Sequence, residues 1–336
     1  MMKLAIKYLI LIFISTKSYS QENYNKIVDD AGFEVEYVYT KNDTITYLHN
    51  KISNKKILKP LIIFIQGSKG IPLLFSDEAG VGSIIPFDYK NYLNNYNFVI
   101  ISRKGIPLIG KYNRDENGYR DINGSVPIDF KKFDNLEYRT FQLENVLKKI
   151  KSKNWVDKNK IFLIGHSEGY RVVAKYSEKD KFVKKFVFMS ADPFNRVTED
   201  VVKNRLECFF SNNDTIFQNR IQKTINDAIE LKKVKNDKGN DYDLNNWLSY
   251  NSDLTYNSLK KIKKPSLIVY GTDDIVSFNN DMMNFLLDNK IFTISALANL
   301  DHNFFKQEFD ELGKPTKKSY HWDEVFKLIV DWLEKK

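Results

Sequence analysis

The chain has 336 residues, 42% of them hydrophobic and 28% charged, and a formal net charge of +9. Such a chain can bury one large core and carry a small second unit. Its lysines are spread out and no arginine-rich stretch or nucleic-acid module is present, so nucleic acid is not expected as a partner. The single cysteine, Cys208, allows no intrachain disulfide. There is no His-Glu-x-x-His, paired Cys-x-x-Cys or Walker loop, so neither a metal nor a cofactor is expected.

Residues 1–20 read as an export signal. Lys3 and Lys7 precede the apolar run Tyr8 to Ile14, and Ser18-Tyr19-Ser20 offers small residues, with cleavage expected before Gln21. A membrane span takes about 20 apolar residues, so this run is too short for one and no stable span is expected. The segment holds three lysines and no acid, which leaves +6 on the remainder. The expected location is secreted or periplasmic.

Phe33 to Tyr39 alternates as a half-exposed strand does. Lys41-Asn42-Asp43 is a turn and Thr44 to His49 returns, so the domain opens with a hairpin. Apolar runs at 61–65, 98–102, 160–164, 185–189, 266–270 and 291–296 read as further strands. Helical stretches separate most of them, the clearest being Tyr138 to Ser152. This alternation predicts an α/β fold: a mostly parallel sheet with helices on both faces and its site at the strand C-terminal ends.

One segment breaks the alternation. Between Met189 and Ser266 lie about 75 residues, far beyond an ordinary connection. Phe217, Ile221, Ile225 and Ile229 recur there at helical spacing, Trp247 adds aromatic surface, and the polar stretch Lys232 to Asp243 reads as a loop. We read residues 195–262 as a helical cap insertion over the strand ends, within one domain spanning 21–336.

The strand at 160–164 runs directly into Gly165-His166-Ser167-Glu168-Gly169, followed by a helical stretch from Tyr170 to Ser177. A strand, a sharp G-x-S-x-G turn and a helix form the setting in which serine becomes a nucleophile. The glycines avoid collisions across the turn, the Ser167 hydroxyl projects outward, and the first helical N–H groups lie beside it. Folds with this elbow carry their partners in the order Ser, acid, His. Of the four histidines, His49 comes too early, and His166 lies inside the elbow and is expected to pack. His302 follows a strand and sits in a loop, whereas His321 opens the last helix, so His302 is the expected base. The acid should leave a strand end in between. Asp273 and Asp274 follow the strand at 266–270; Asp192, after the strand ending at Met189, is a rival that also suits a turn.

Gly-His-Ser-Glu-Gly, Tyr270-Gly271-Thr272-Asp273-Asp274-Ile275-Val276 and Asp301-His302-Asn303-Phe304 together resemble the signature regions of the α/β-hydrolase superfamily. The resemblance extends over residues 33 to 334. It implies a triad of Ser167, Asp274 and His302. Strand 61–65 runs into Gln66-Gly67-Ser68-Lys69-Gly70, similar to the family's His-Gly-x-Gly loop with Gln66 replacing the His. That implies an oxyanion hole made by the backbone N–H groups of Ser68 and Glu168. The elbow is similar to those of secreted or periplasmic esterases and acyl-peptide hydrolases. The implied function is a serine hydrolase cleaving carboxylic esters through an acyl-enzyme, with a small-molecule ester or short peptide as partner. A serine aminopeptidase or acyl-peptide hydrolase is the alternative, because the cap and pocket choose the leaving group. A non-catalytic binding protein on the same fold is a third reading.

Overall fold

The computed structural model describes residues 23–78, 80–111, 118–211, 213–234 and 241–335. The export segment 1–20 and its junction with Gln21 lie outside the described residues, as does 235–240 within the expected polar loop. Residues 23–30 are helical (α1). Strands β1 (Phe33–Tyr39) and β2 (Thr44–Asn50) pair antiparallel, and the turn closes with Thr40 N–H donating to Asp43 O at 2.8 Å. The main sheet continues with β3 (Lys59–Ile65), then β6 (Asn97–Ile101), β8 (Val156–His166), β9 (Lys185–Met189), β10 (Ser266–Gly271) and β11 (Phe292–Leu297). Its spatial order is β1-β2-β6-β3-β8-β9-β10-β11.

From β6 to β11 every neighbouring pair is parallel, but β1/β2 and β2/β6 are antiparallel. The sheet is therefore mixed rather than mostly parallel. The physical reason is the hairpin: a short turn forces antiparallel pairing, and β2 then docks on β6 with its direction reversed. Short strands form two further small sheets. One joins β4 (Leu74–Asp77), β5 (Gly80–Ser83) and β7 (Ile109–Gly110); the other is the ribbon β12 (Phe305–Phe309) with β13 (Pro315–Tyr320).

Two apolar layers enclose the main sheet. Along β3, Leu61, Ile63 and Ile65 face one layer, and Ile62 and Phe64 the other. The first layer receives α3 (Leu136–Lys151), where Leu143, Val146, Leu147 and Ile150 recur on one helical face, and α4 (Glu168–Ser177). The side chain of Asn135 caps α3 by accepting from Tyr138 N–H at 2.8 Å. The second layer receives α10 (Trp322–Glu334) through Trp322, Val325, Phe326 and Ile329. Central strands such as β8 are thus buried on both sides, which is why Ile161 to Ile164 are all apolar.

Helices α2 (Ile128–Phe133) and α9 (Met283–Leu286) are short connectors. Between β9 and β10 lie α5 (Arg196–Phe210), α6 (Asp214–Lys233), α7 (Tyr242–Asn251) and α8 (Thr255–Leu259). Asn195 opens α5 with a reciprocal cap: its side chain accepts from Thr198 N–H while the Thr198 hydroxyl meets Asn195 N–H. On α6, Ile221 is buried, but Ile225 and Ile229 on the same face are exposed. No helix among the described residues is long and apolar enough to cross a membrane.

Candidate active site

Ser167 sits at the junction of β8 and α4 with φ 56° and ψ −123°. Its N–H donates to Met189 O at 2.8 Å, tying the turn to the end of β9. A Cβ on Gly165 would collide with the Gly169 carbonyl, and one on Gly169 with the Ile65 carbonyl. These two glycines are needed for close backbone approach, and they let the elbow rest on the end of β3.

The structure brings three of the expected residues into one hydrogen-bonded chain. His302 Nε2 is 3.0 Å from Ser167 Oγ, and His302 Nδ1 is 3.0 Å from Asp274 Oδ2. Asp274 is buried and its Oδ2 also accepts from the Ser277 hydroxyl. Its neighbour Asp273 is exposed. The loops carrying acid and base are knitted together: Asp273 N–H donates to Leu300 O at 3.0 Å, and Asn299 N–H to Thr272 Oγ1 at 2.8 Å. A Cβ on Gly271 would strike the Leu300 carbonyl, so this contact also requires glycine.

Burial opposes a charge on His302, but the hydrogen bond and the negative charge of Asp274 outweigh it, and Glu199 and Asp301 add to them. The His302 pKa is therefore raised above its ordinary 6.5. His166 moves the other way. Burial, and then the neighbouring His302, push it down to about 3, so its ring is neutral. That ring packs on Trp322 with centroids 5.0 Å apart, and its Nε2–H donates to the His302 carbonyl at 2.9 Å. It packs, as its place in the elbow suggests, and it also holds the backbone of the His302 loop.

The rival groups are placed otherwise. Asp192 is buried, and its carboxylate accepts from Phe194 N–H at 2.6 Å, the Thr198 hydroxyl at 2.8 Å and Asn279. Burial raises its pKa to about 6. His321 stands before α10, with Nε2 3.0 Å from Ser319 Oγ.

The Gln66 to Gly70 loop reaches the serine. A Cβ at Gly67 would lie 3.1 Å from Ser167 Cβ, so the backbone just before Ser68 faces the elbow. Glu168 is the first residue of α4, and its side chain is buried. Among the described residues no group of three His, Cys, Asp or Glu could hold a metal ion.

Ser167 and His302 open into a cleft of about 1230 Å³. Its apolar walls come from Phe75, Val81 and Ile84 around β4 and β5, from Phe305 and Tyr320 on the β12–β13 ribbon, and from Trp322 at the start of α10. Among the described residues, none of those that line it comes from 195–262. That segment meets the site at its base instead, where Arg196 pairs with Glu168, and Glu199 with Arg171 at 2.6 Å. Sequence reasoning missed both the hairpin walls and a group of arginines around the buried Glu168. One signal for the latter exists. The chain has eight arginines among its 52 basic residues, and three of them converge on Glu168. In a lysine-rich chain an arginine marks a place that needs a planar, forked donor.

No family model matches the chain, and no curated protein matches it. Solved structures do. An acylaminoacyl peptidase of Pyrococcus horikoshii is similar with a TM-score of 0.52 at 14% identity, over 91% of this chain and 42% of that one. Dipeptidyl peptidase 4 of Porphyromonas gingivalis gives 0.52 at 12% identity, over 90% and 35%. A membrane phospholipase A gives 0.50 at 12% identity, over 100% of each chain. The chain thus spans less than half the length of the two peptidases, and at these identities the likeness is one of fold.

Proposed function

We propose that this chain, which has the α/β-hydrolase fold, is a serine hydrolase that cleaves carboxylic esters through an acyl-enzyme. One observation carries the proposal: the unbroken hydrogen-bonded chain Ser167–His302–Asp274 at the floor of an open cleft. In this reading Ser167 Oγ attacks the acyl carbon while its proton passes to His302 Nε2. Asp274 holds the ring in the tautomer that leaves Nε2 free to accept, and it stabilises the imidazolium. The N–H groups of Ser68 and Glu168 receive the oxyanion. His302 then gives its proton to the leaving alcohol, and water, activated by the same ring, releases the acid.

The apolar lining of the cleft supports an ester with a hydrocarbon acyl or alkyl group. The serine aminopeptidase or acyl-peptide hydrolase reading uses the same parts with an amine leaving group. Segment 195–262 is proposed as a cap anchored at its base beside Glu168, and the protein as an exported one.

The test is labelling and turnover. A fluorophosphonate should label Ser167, and Ser167→Ala should lose the label and about 10⁴–10⁶ in kcat on p-nitrophenyl esters while staying folded. An active Ser167→Ala protein overturns the proposal. Faster cleavage of amino-acid arylamides than of esters moves it to the peptidase reading.

A further inference from the structure

Beneath the elbow lies a charged cluster that the cleft does not contain. The carboxylate of Glu168 receives Arg139 Nη1 at 2.6 Å, lies 3.6 Å from Arg103 Nη2, and meets Arg196. Arg103 also pairs with Asp134. Arg103, Arg139 and Glu168 are buried, and aromatic rings cover the cluster: Phe130 lies 5.0 Å from the Arg103 guanidinium and Tyr250 4.7 Å from that of Arg196. Two of these guanidiniums also donate to one short stretch of backbone. Arg103 Nη1 donates to Gly67 O at 2.8 Å, and Arg139 Nη2 to Gln66 O at 2.6 Å.

We propose that Arg103 and Arg139, gathered by Glu168, are positioning residues that set the oxyanion hole by pinning the Gln66 and Gly67 carbonyls. The inference rests on the serine-hydrolase reading. A trans peptide is planar, with its C=O and N–H pointing in opposite directions. Holding the Gly67 carbonyl on Arg103 therefore aims the Ser68 N–H away from the cluster, on the side where Gly67 abuts Ser167. Gly67 needs the pin more than another residue would. A Cβ at Gly67 would crowd Ser167 Cβ at 3.1 Å, which favours glycine there, yet glycine leaves the flanking peptides free to flip. A flip would strip a buried guanidinium of its acceptor, which disfavours it. The guanidinium also polarises the peptide it holds, making its N–H a stronger donor. Three guanidiniums face two carboxylates here, so the cluster leaves positive charge below the place where the oxyanion forms. Because Glu168 supplies the other proposed donor from its own backbone, one side-chain group controls both halves of the hole. Arg196 links that group to the first turn of α5.

The experiment uses the full chain with Arg103→Met and Arg103→Lys. We follow p-nitrophenyl butyrate turnover, and inhibition by an alkyl trifluoromethyl ketone beside the matching methyl ketone. The fluorinated ketone forms a tetrahedral oxyanion on the serine; the methyl ketone fills the cleft without one. Arg103→Met should lower kcat about 10²-fold with KM nearly unchanged, and weaken the trifluoromethyl ketone by a similar factor while sparing the methyl ketone. Arg103→Lys keeps the charge but cannot span Gly67 O and Asp134 together, and should lose about 10-fold by the same pattern. If Arg103→Met does not fold, the lysine variant carries the test alone. A folded variant with wild-type kcat, or one that weakens both ketones equally, overturns the inference. A wild-type protein that is neither labelled by fluorophosphonate nor active overturns the hydrolase reading and this inference with it.

Discussion

Ser167 is one of four non-glycine residues with positive φ among the described residues, a conformation that costs about 1–3 kcal/mol. The strain is held by contacts on three sides: the Met189 carbonyl, the Gly67 backbone and the His302 ring. At this scale the two candidate acids separate. Asp274→Asn should present the wrong tautomer to Ser167 and lower kcat by about 10⁴. Asp192→Asn should leave most activity, because Asp192 is committed to Phe194, Thr198 and Asn279. The reverse ranking of the two variants, read by steady-state kinetics, would move the acid to β9. The pH profile follows from the sign of one shift. A base acts only when neutral, and His302 holds its proton more tightly than an ordinary histidine. The acid limb of kcat/KM should therefore have its midpoint above 6.5 and move down in Asp274→Asn. A wild-type midpoint at or below 6.5 would mean that Asp274 does not raise His302.

Among the elements, the apolar walls of the cleft come mainly from two hairpins, and no described residue of the helical insertion lines it. Tyr320 faces Phe305 across the ribbon with ring centroids 5.5 Å apart, and both line the cleft. We expect Tyr320→Ala to change the preference across an ester chain-length series by about tenfold or more, since removing a bulky apolar wall alters the fit by roughly 1–3 kcal/mol. Trp247→Ala on α7 should leave that preference nearly flat. Relative kcat/KM values along the series decide it, and the opposite result would give selectivity to the insertion. These hairpins are also where the sequence is hardest to read. The main-sheet strands announce themselves because burial on both faces demands continuous apolar runs, as in Ile161 to Ile164. Strand β13 is Pro-Thr-Lys-Lys-Ser-Tyr, largely exposed, and β4 and β5 have four residues each. Such ribbons carry little periodicity of their own, and cross-strand pairs and neighbouring elements stabilise them. The elbow was legible for the opposite reason: its geometry admits few residues, so Gly165 and Gly169 mark it. Arg103, Arg139 and Arg196 were not, because only the folded chain brings three distant basic residues to one carboxylate.

For the molecule as a whole, stability rests on the two apolar layers, since a chain with one cysteine can form no internal disulfide. Export through residues 1–20 is proposed from their sequence pattern alone. N-terminal sequencing of protein recovered outside the cytoplasm should begin at Gln21, and recovery inside the cytoplasm with Met1 intact would refute it. The sheet order places β8, β9, β10 and β11 side by side, so the strands that lead to Ser167 and Asp274 are separated by a single neighbour, and the strand before His302 lies one further out.

That neighbour has a practical meaning. The polypeptide that supplies Ser167 and the Gly67 loop ends its part of the sheet at β9, and the polypeptide that supplies Asp274 and His302 begins at β10. The whole helical insertion lies between. On the proposed mechanism, a chain cut within the insertion would leave the nucleophile on one fragment and its base on the other, and each should be inert. Hydrolysis would then report reassembly of the two fragments, which makes this fold a natural starting point for a complementation reporter.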